Sequence, residues 1–300
     1  MIAWLVCAFA AVALVSSWIV DPASAEIAYL AAFAFVVSTA LGALTLAMIG
    51  RLTEAKWYME GARPATESIV ATIPLLAVLF VPLALHAPSL ARSIVYLAIW
   101  AALALALPRW PRPVSALGLP VLALSLTFAS FDWFMSLDPD FDSSIYGVYV
   151  WSGGFLAALG LVVLLRGSPV ALAKLLLTAS IFWAYIAWAQ ALIIWIGGIP
   201  RETAWLDARG AGPWAIVILL VVVAKFAVPL PLLLPWTWKR RFPVQAVVAV
   251  LALLGHALDA CWLVLPARRA PALVSVAAFA ALASFLFASR PEPSTEAVPS

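Results

Sequence analysis

Apolar residues run along this chain in stretches of about twenty, and prolines, glycines and charged clusters end each stretch. A hydrocarbon core of ~30 Å needs about 20 helical residues rising ~1.5 Å each, so the pattern predicts helices that cross a membrane. Ten spans result, over residues 2–20, 27–50, 69–87, 93–108, 114–135, 145–165, 170–196, 213–235, 244–265 and 271–289. The fourth is short, and Pro82, Pro120, Pro229 and Pro231 predict kinks, because each ring removes a backbone donor. "DPASA" before Glu26 has small residues of the kind a signal peptidase cuts; no basic residue precedes it, so 2–20 reads as the first span. "RLTEAKWYMEGARPATES" (51–68) is too polar to cross and predicts a short surface helix and loop. The tail "PEPSTEAVPS" predicts disorder, giving one polytopic membrane domain over 1–290 and a cytoplasmic tail over 291–300.

Composition sharpens this all-α membrane reading. The chain is 66% hydrophobic with a mean hydropathy of +1.10 and 10% charged residues, too little polar surface to cover a soluble core. A net charge of +3 with no dense Lys/Arg tract argues against a nucleic-acid partner. Eleven Lys/Arg residues fall in the even-numbered turns and C-terminus and five in the odd-numbered turns, so the positive-inside rule predicts both termini in the cytoplasm. Trp18, Trp57, Trp110, Trp205 and Trp214 suit the interfacial belt, and lipid is the expected surrounding. Cys7 and Cys261 stand apart in apolar runs and read as buried, inert thiols.

An ionisable group at mid-membrane costs at least ~2.5–3.5 kcal/mol, so each one demands a partner or a purpose. Lys225 sits near the middle of the eighth span, and His256 and Asp259 share one face of the ninth. Counting back from the outer ends of these antiparallel spans puts Lys225 within about one helical turn of His256 in depth. Two readings stand: a buried ion pair that fixes helix packing, or a proton-transfer cluster, which Gln190 and Tyr185 on the seventh span could join. The turn "FDWFMSLDPDFDSSIYG" gathers Asp132, Asp138, Asp140 and Asp142 with Tyr146 between two apolar runs. There Asp132 reads as half buried, and Asp138, Asp140 and Asp142 as solvated or paired with a partner subunit, with a helix cap as a further role for Asp142. With His86 and His256 on the third and ninth spans no axial pair for a membrane haem is expected, and no metal set, P-loop or nucleophile–base constellation stands out.

Four segments in order, "RLTEAKW…ESIVATIPLLAVLFVPLAL" (51–85), "FDWFMSLDPDFDSSIYGVY" (131–149), "AQALIIWIGGIPRETAW" (189–205) and "GHALDACWLVLPA" (255–267), together resemble the NrfD-like integral membrane subunits. The likeness is to the ActF-type subunit of alternative complex III, a bacterial quinol:cytochrome c oxidoreductase. Asp140 and Lys225 stand where that family often carries His, whereas Asp132, Tyr146, Gln190, Glu202, His256 and Asp259 match it. The resemblance implies two four-helix bundles, spans 2–5 and 6–9, flanked by spans 1 and 10, in the bacterial inner membrane. It implies a paralogous quinol-binding membrane subunit alongside, and periplasmic iron–sulfur and multihaem cytochrome c subunits that carry the haem c and clusters. The acidic turn would then be a docking surface, with Asp132 as a proton exit. The chain is expected to bind no redox cofactor of its own, with quinone or quinol binding left open. Its role would be structural and proton-conducting; the alternative is a secondary transporter with Lys225, His256 and Asp259 as a midplane site.

Overall fold

The computed structural model describes residues 16, 18–84, 89–166 and 170–267, and among them the chain is helical with no strand. The span expected at 271–289, most of that at 2–20, the tail at 291–300, Cys7 and His86 lie outside the described residues. Seven helical segments are long and apolar enough to cross a membrane, and an eighth apolar helix is shorter. The protein is a multi-pass membrane protein.

Helix α1 (Pro22–Leu52) starts five residues before the expected span. Asp21 caps it, accepting from the Ser24 N–H at 3.2 Å, and Pro22 supplies a φ already suited to the first turn. Hydrogen bonds from the Ser24 hydroxyl and its N–H hold the Asp21 carboxyl below the usual carboxylate range. The next span is interrupted: a π-helical turn (Tyr58–Ala62) leads into α2 (Arg63–Val70), then a turn, then α3 (Leu75–Ala84). Helix α4 (Leu90–Ala106) is the shorter one. Helix α5 (Pro111–Trp133) ends in a 3-10 turn (Met135–Leu137), and α6 (Tyr146–Arg166) and α7 (Val170–Gly197) follow. A surface helix α8 (Pro200–Gly210) precedes a span assembled from α9 (Gly212–Val222), a π-helical turn (Val223–Ala227) and α10 (Pro229–Leu233). Helices α11 (Trp236–Lys239) and α12 (Phe242–Val264) complete the described chain.

Helices α1 and α6 are its axis. The apolar window of α1 is 89% buried, against 28% for the α9–α10 span, so α1 faces protein and α9–α10 faces outward. The two axial helices cross on small residues: a Cβ on Gly42 would lie 2.5 Å from the Gly154 carbonyl oxygen, and one on Gly154 would collide with the Ser38 backbone. Small residues at such a crossing let backbones meet, which substitutes for the hydrophobic drive that lipid does not provide. Helix α12 packs against both α1 and α6, α5 lies against the same pair, and α7 lies along α6.

Two expectations change. Residues 51–68 are not a surface helix and loop, because Arg51 and Tyr58 are buried and Glu67 pairs with both Arg51 and Arg63. Pairing within the segment neutralises it, and the helical segment that holds the third expected span starts at Tyr58 rather than 69. The sharpest break is at Pro74, which lacks a proton for the Val70 carbonyl, while Pro82 and Pro120 stay inside helices. Pro229 acts differently. Its ring would meet the Lys225 carbonyl four residues back, and the helix widens into a π turn there, closed by Val228 N–H to Val223 O at 3.0 Å.

A buried charged cluster beside an aromatic cavity

The π turn aims Lys225 at α12, where Nζ donates to Asp259 Oδ2 at 2.6 Å; both side chains are essentially without solvent contact. Tyr149 of α6 donates its hydroxyl to the other carboxylate oxygen, Oδ1, at 2.6 Å. Nζ also lies 4.1 Å above the Trp183 ring of α7, so a carboxylate and an aromatic face share its charge. Four helical segments thus converge on one buried ammonium.

His256 sits one turn before Asp259 on α12, its Nε2 2.8 Å from Ser38 Oγ. Ser38 has a single hydroxyl proton, and its oxygen lies 2.6 Å from the Ala34 carbonyl, a separation two oxygens adopt only with a proton between them. The serine therefore accepts from His256, Nε2 carries the ring proton, and Nδ1 keeps a lone pair. Nδ1 has no hydrogen-bond partner. It faces the lysine: a Cβ on Gly153 would lie 2.9 Å from Nδ1 and 3.0 Å from Nζ. Gly255 makes room from the other side, since its Cβ would lie 2.6 Å from Lys225 Cγ. Chemically, hydrogen bonds join the tyrosine hydroxyl, the carboxylate and the ammonium, and a neutral imidazole with a free acceptor stands beside the ammonium without a hydrogen bond to it.

Tyr149 and Trp183 also wall an open-sided cavity of about 550 Å³ lined by α6, α7, α8, α9, the π turn and α12. Its lining is almost wholly apolar and aromatic, and Gln190 contributes an amide whose Oε1 lacks a partner. Gln190 makes no hydrogen bond to the Lys225–Asp259 pair. Tyr185 lines the outer part of the cavity at 65% exposure and takes no part in the cluster.

The aspartate turn is divided in its partners. Asp132 accepts from Tyr96 at 2.8 Å and pairs with Arg92 at 3.0 Å, both from α4. Asp138 is neither free nor kept for another subunit, because buried Arg209 of α8 donates to it at 2.7 Å. Arg209 also donates to the Leu263 carbonyl at 3.0 Å and stacks 4.1 Å over Trp205, and Trp262 donates to the Arg209 carbonyl. Asp142 does not cap α6, which starts four residues later; it faces Arg201 at 3.5 Å. Asp140 is exposed, whereas Tyr146 is buried and Phe141 stacks on Trp205 at 4.1 Å, so neither ring belongs to an outer surface. Trp205 of α8 is accordingly buried against this turn rather than part of an interfacial belt.

No protein-family model matches the chain, and no curated protein is significantly similar to it. Among the described residues no group of three or more His, Cys, Asp or Glu could hold a metal ion.

Sequence reasoning had paired Lys225 with Asp259 and missed Tyr149, Ser38, Trp183 and Arg209. An arginine between apolar segments, in a chain this poor in charge, was the one available signal for Arg209.

Proposed function

We propose that this chain is a membrane subunit of a bacterial respiratory quinol:acceptor oxidoreductase, with ten spans in two four-helix bundles flanked by single helices, both termini cytoplasmic and no redox centre of its own. Its partners are a quinol-binding membrane subunit and periplasmic subunits bearing haem c and iron–sulfur clusters. Its own part is to scaffold the complex and to carry protons. The observation that carries the reading is the Tyr149–Asp259–Lys225 hydrogen-bonded line with the His256 Nδ1 lone pair at its end. Ionisable groups held this deep in a span are costly, and proton transfer gives that cost a purpose. A proton moves along that line when Lys225 passes one to His256 Nδ1 and regains one through Asp259 from the Tyr149 hydroxyl, a transfer that completes only when Tyr149 takes up another proton and His256 gives one up. The cavity adds a place for a flat ring: its size lies within the range of small-molecule sites, its walls are aromatic, and Gln190 Oε1 is an acceptor suited to a quinol hydroxyl.

The test is to purify the tagged chain from native membranes and assay quinol oxidation and proton release in liposomes. Haem c should co-elute, and Asp259→Asn should lower proton release more than quinol turnover. Elution of the chain alone would overturn the assignment to a redox complex. One observation favours a second reading: the α9–α10 span breaks into a π turn at Lys225, as transporter helices break at midplane sites. Flux of a small ion or solute by the isolated chain in proteoliposomes would select it.

A further inference from the structure

At the end of the helices opposite the aspartate turn, the start of α7 meets α11 and the turn into α12. Lys174 Nζ lies 5.4 Å from the centre of the Trp236 ring, Lys239 Nζ 6.0 Å and the Arg240 guanidinium 5.8 Å. Three cations from two elements thus surround one half-exposed indole. None of them has an ion-pair partner among the described residues, whereas Arg51, Arg92, Arg112, Arg201, Arg209 and Lys225 all do. Nor can a near neighbour in sequence supply one: no Asp or Glu occurs between Asp142 and Glu202 or between Asp207 and Asp259. The turn is held in place, since buried Gln245 donates to the Lys239 carbonyl at 2.5 Å. Helix α12 begins beside it without a side-chain cap, adding the positive end of a helix to the corner. Trp238, Phe242 and Leu234 are exposed around it, an apolar rim below a cationic centre.

We propose that this corner binds the phosphate of an anionic phospholipid, with Lys174, Lys239 and Arg240 on the headgroup, Trp236 as the platform and the exposed apolar rim against the acyl chains. Lipid is the occupant these features fit: the charge is uncompensated and single-signed, the indole and cations mark the headgroup level, and the surface beneath is apolar. The inference is independent of the proton-carrying reading.

The full chain, extracted with whatever subunits accompany it, is titrated with cardiolipin, phosphatidylglycerol or phosphatidylcholine and followed by native mass spectrometry. The anionic lipids should bind and phosphatidylcholine should not; cardiolipin binding tighter than phosphatidylglycerol assigns both of its phosphates to the corner, and equal binding assigns one. Lys174→Gln, Lys239→Gln and Arg240→Gln together should weaken binding on the order of a hundredfold, at roughly fivefold per cation. Lys56→Gln with Arg109→Gln, two exposed cations without ion pairs at the same end but not among those around Trp236, should leave binding within about twofold. Arg240→Gln alone reads the same effect if the triple variant does not accumulate. Equal loss in the triple and control variants, or phosphatidylcholine binding as tight as the anionic lipids, would overturn the proposal.

Discussion

Lys225 and Asp259 hold each other's charge, and that reciprocity decides how each responds to mutation. Removing one partner leaves an uncompensated buried ion, which costs about 3–5 kcal/mol, whereas removing both leaves a neutral site of similar volume. Lys225→Met or Asp259→Asn alone should therefore lower thermal stability in detergent strongly, and the double variant should recover most of the loss; equal melting of all three would remove the coupling. Gly153→Ala tests the same place sterically. Its methyl would enter the space between Nζ and Nδ1, where neither can retreat far, so a loss of about 1–3 kcal/mol is expected in the same melting assay, with wild-type stability as the contrary result. The ion pair was legible in the sequence because each residue is a lone charge in an apolar run, and depth along antiparallel helices follows from counting. Tyr149 and Ser38 were not legible. Tyrosine and serine are ordinary in membrane helices, and their partners lie 110 and 218 residues away.

Among the elements, the α1–α6 crossing and the α8 latch do the positioning. Every residue of the cluster except Trp183 rides on α1, α6, α12 or the π turn, so the distance between the two axial helices sets the distance from Ser38 to Tyr149. Gly154→Ala should push α1 and α6 apart and lower stability by about 1–3 kcal/mol. Gly210→Ala, at a position with nothing within 4 Å of a Cβ, should be near neutral by comparison. A Gly154 variant that melts with the Gly210 variant would show that the crossing is loose. Arg209 does for α8 what the glycines do for the axis. It ties the helix to the aspartate turn through Asp138 and to α12 through the Leu263 carbonyl, closing one wall of the cavity. Helix positions were legible from run length and breaker residues, so the eight spans expected between residues 27 and 265 each overlap one of the seven apolar helical segments or the shorter α4. The failure at 51–68 has a physical cause: a window of sequence counts Arg51, Arg63 and Glu67 as three separate charges, while the fold gathers both cations on one carboxylate and leaves a single net charge.

For the whole molecule, the helices sort charge between two ends. Asp132, Asp138, Asp140 and Asp142 crowd one, and Lys174, Lys239, Arg240 and Arg241 the other, with spans of 21 to 31 residues between. Alternation of the helices fixes which loops share an end, so a single labelled residue at each end determines the topology of the described chain. In a background with Cys7 and Cys261 replaced, Asp140→Cys and Thr237→Cys place one exposed thiol in each set. The bias of insertion by Lys and Arg predicts the cationic end in the cytoplasm. A membrane-impermeant maleimide added to intact spheroplasts should then label Cys at 140 and not at 237, and permeabilisation should make 237 reactive to the same extent. The reverse pattern would turn the molecule over. The acidic turn would then face the cytoplasm, out of reach of the periplasmic haem c subunits proposed as partners, and the proposed lipid corner would face the outer leaflet. Labelling of both thiols in intact cells would instead mean that 140 and 237 share a side, which an odd number of crossings between them would forbid.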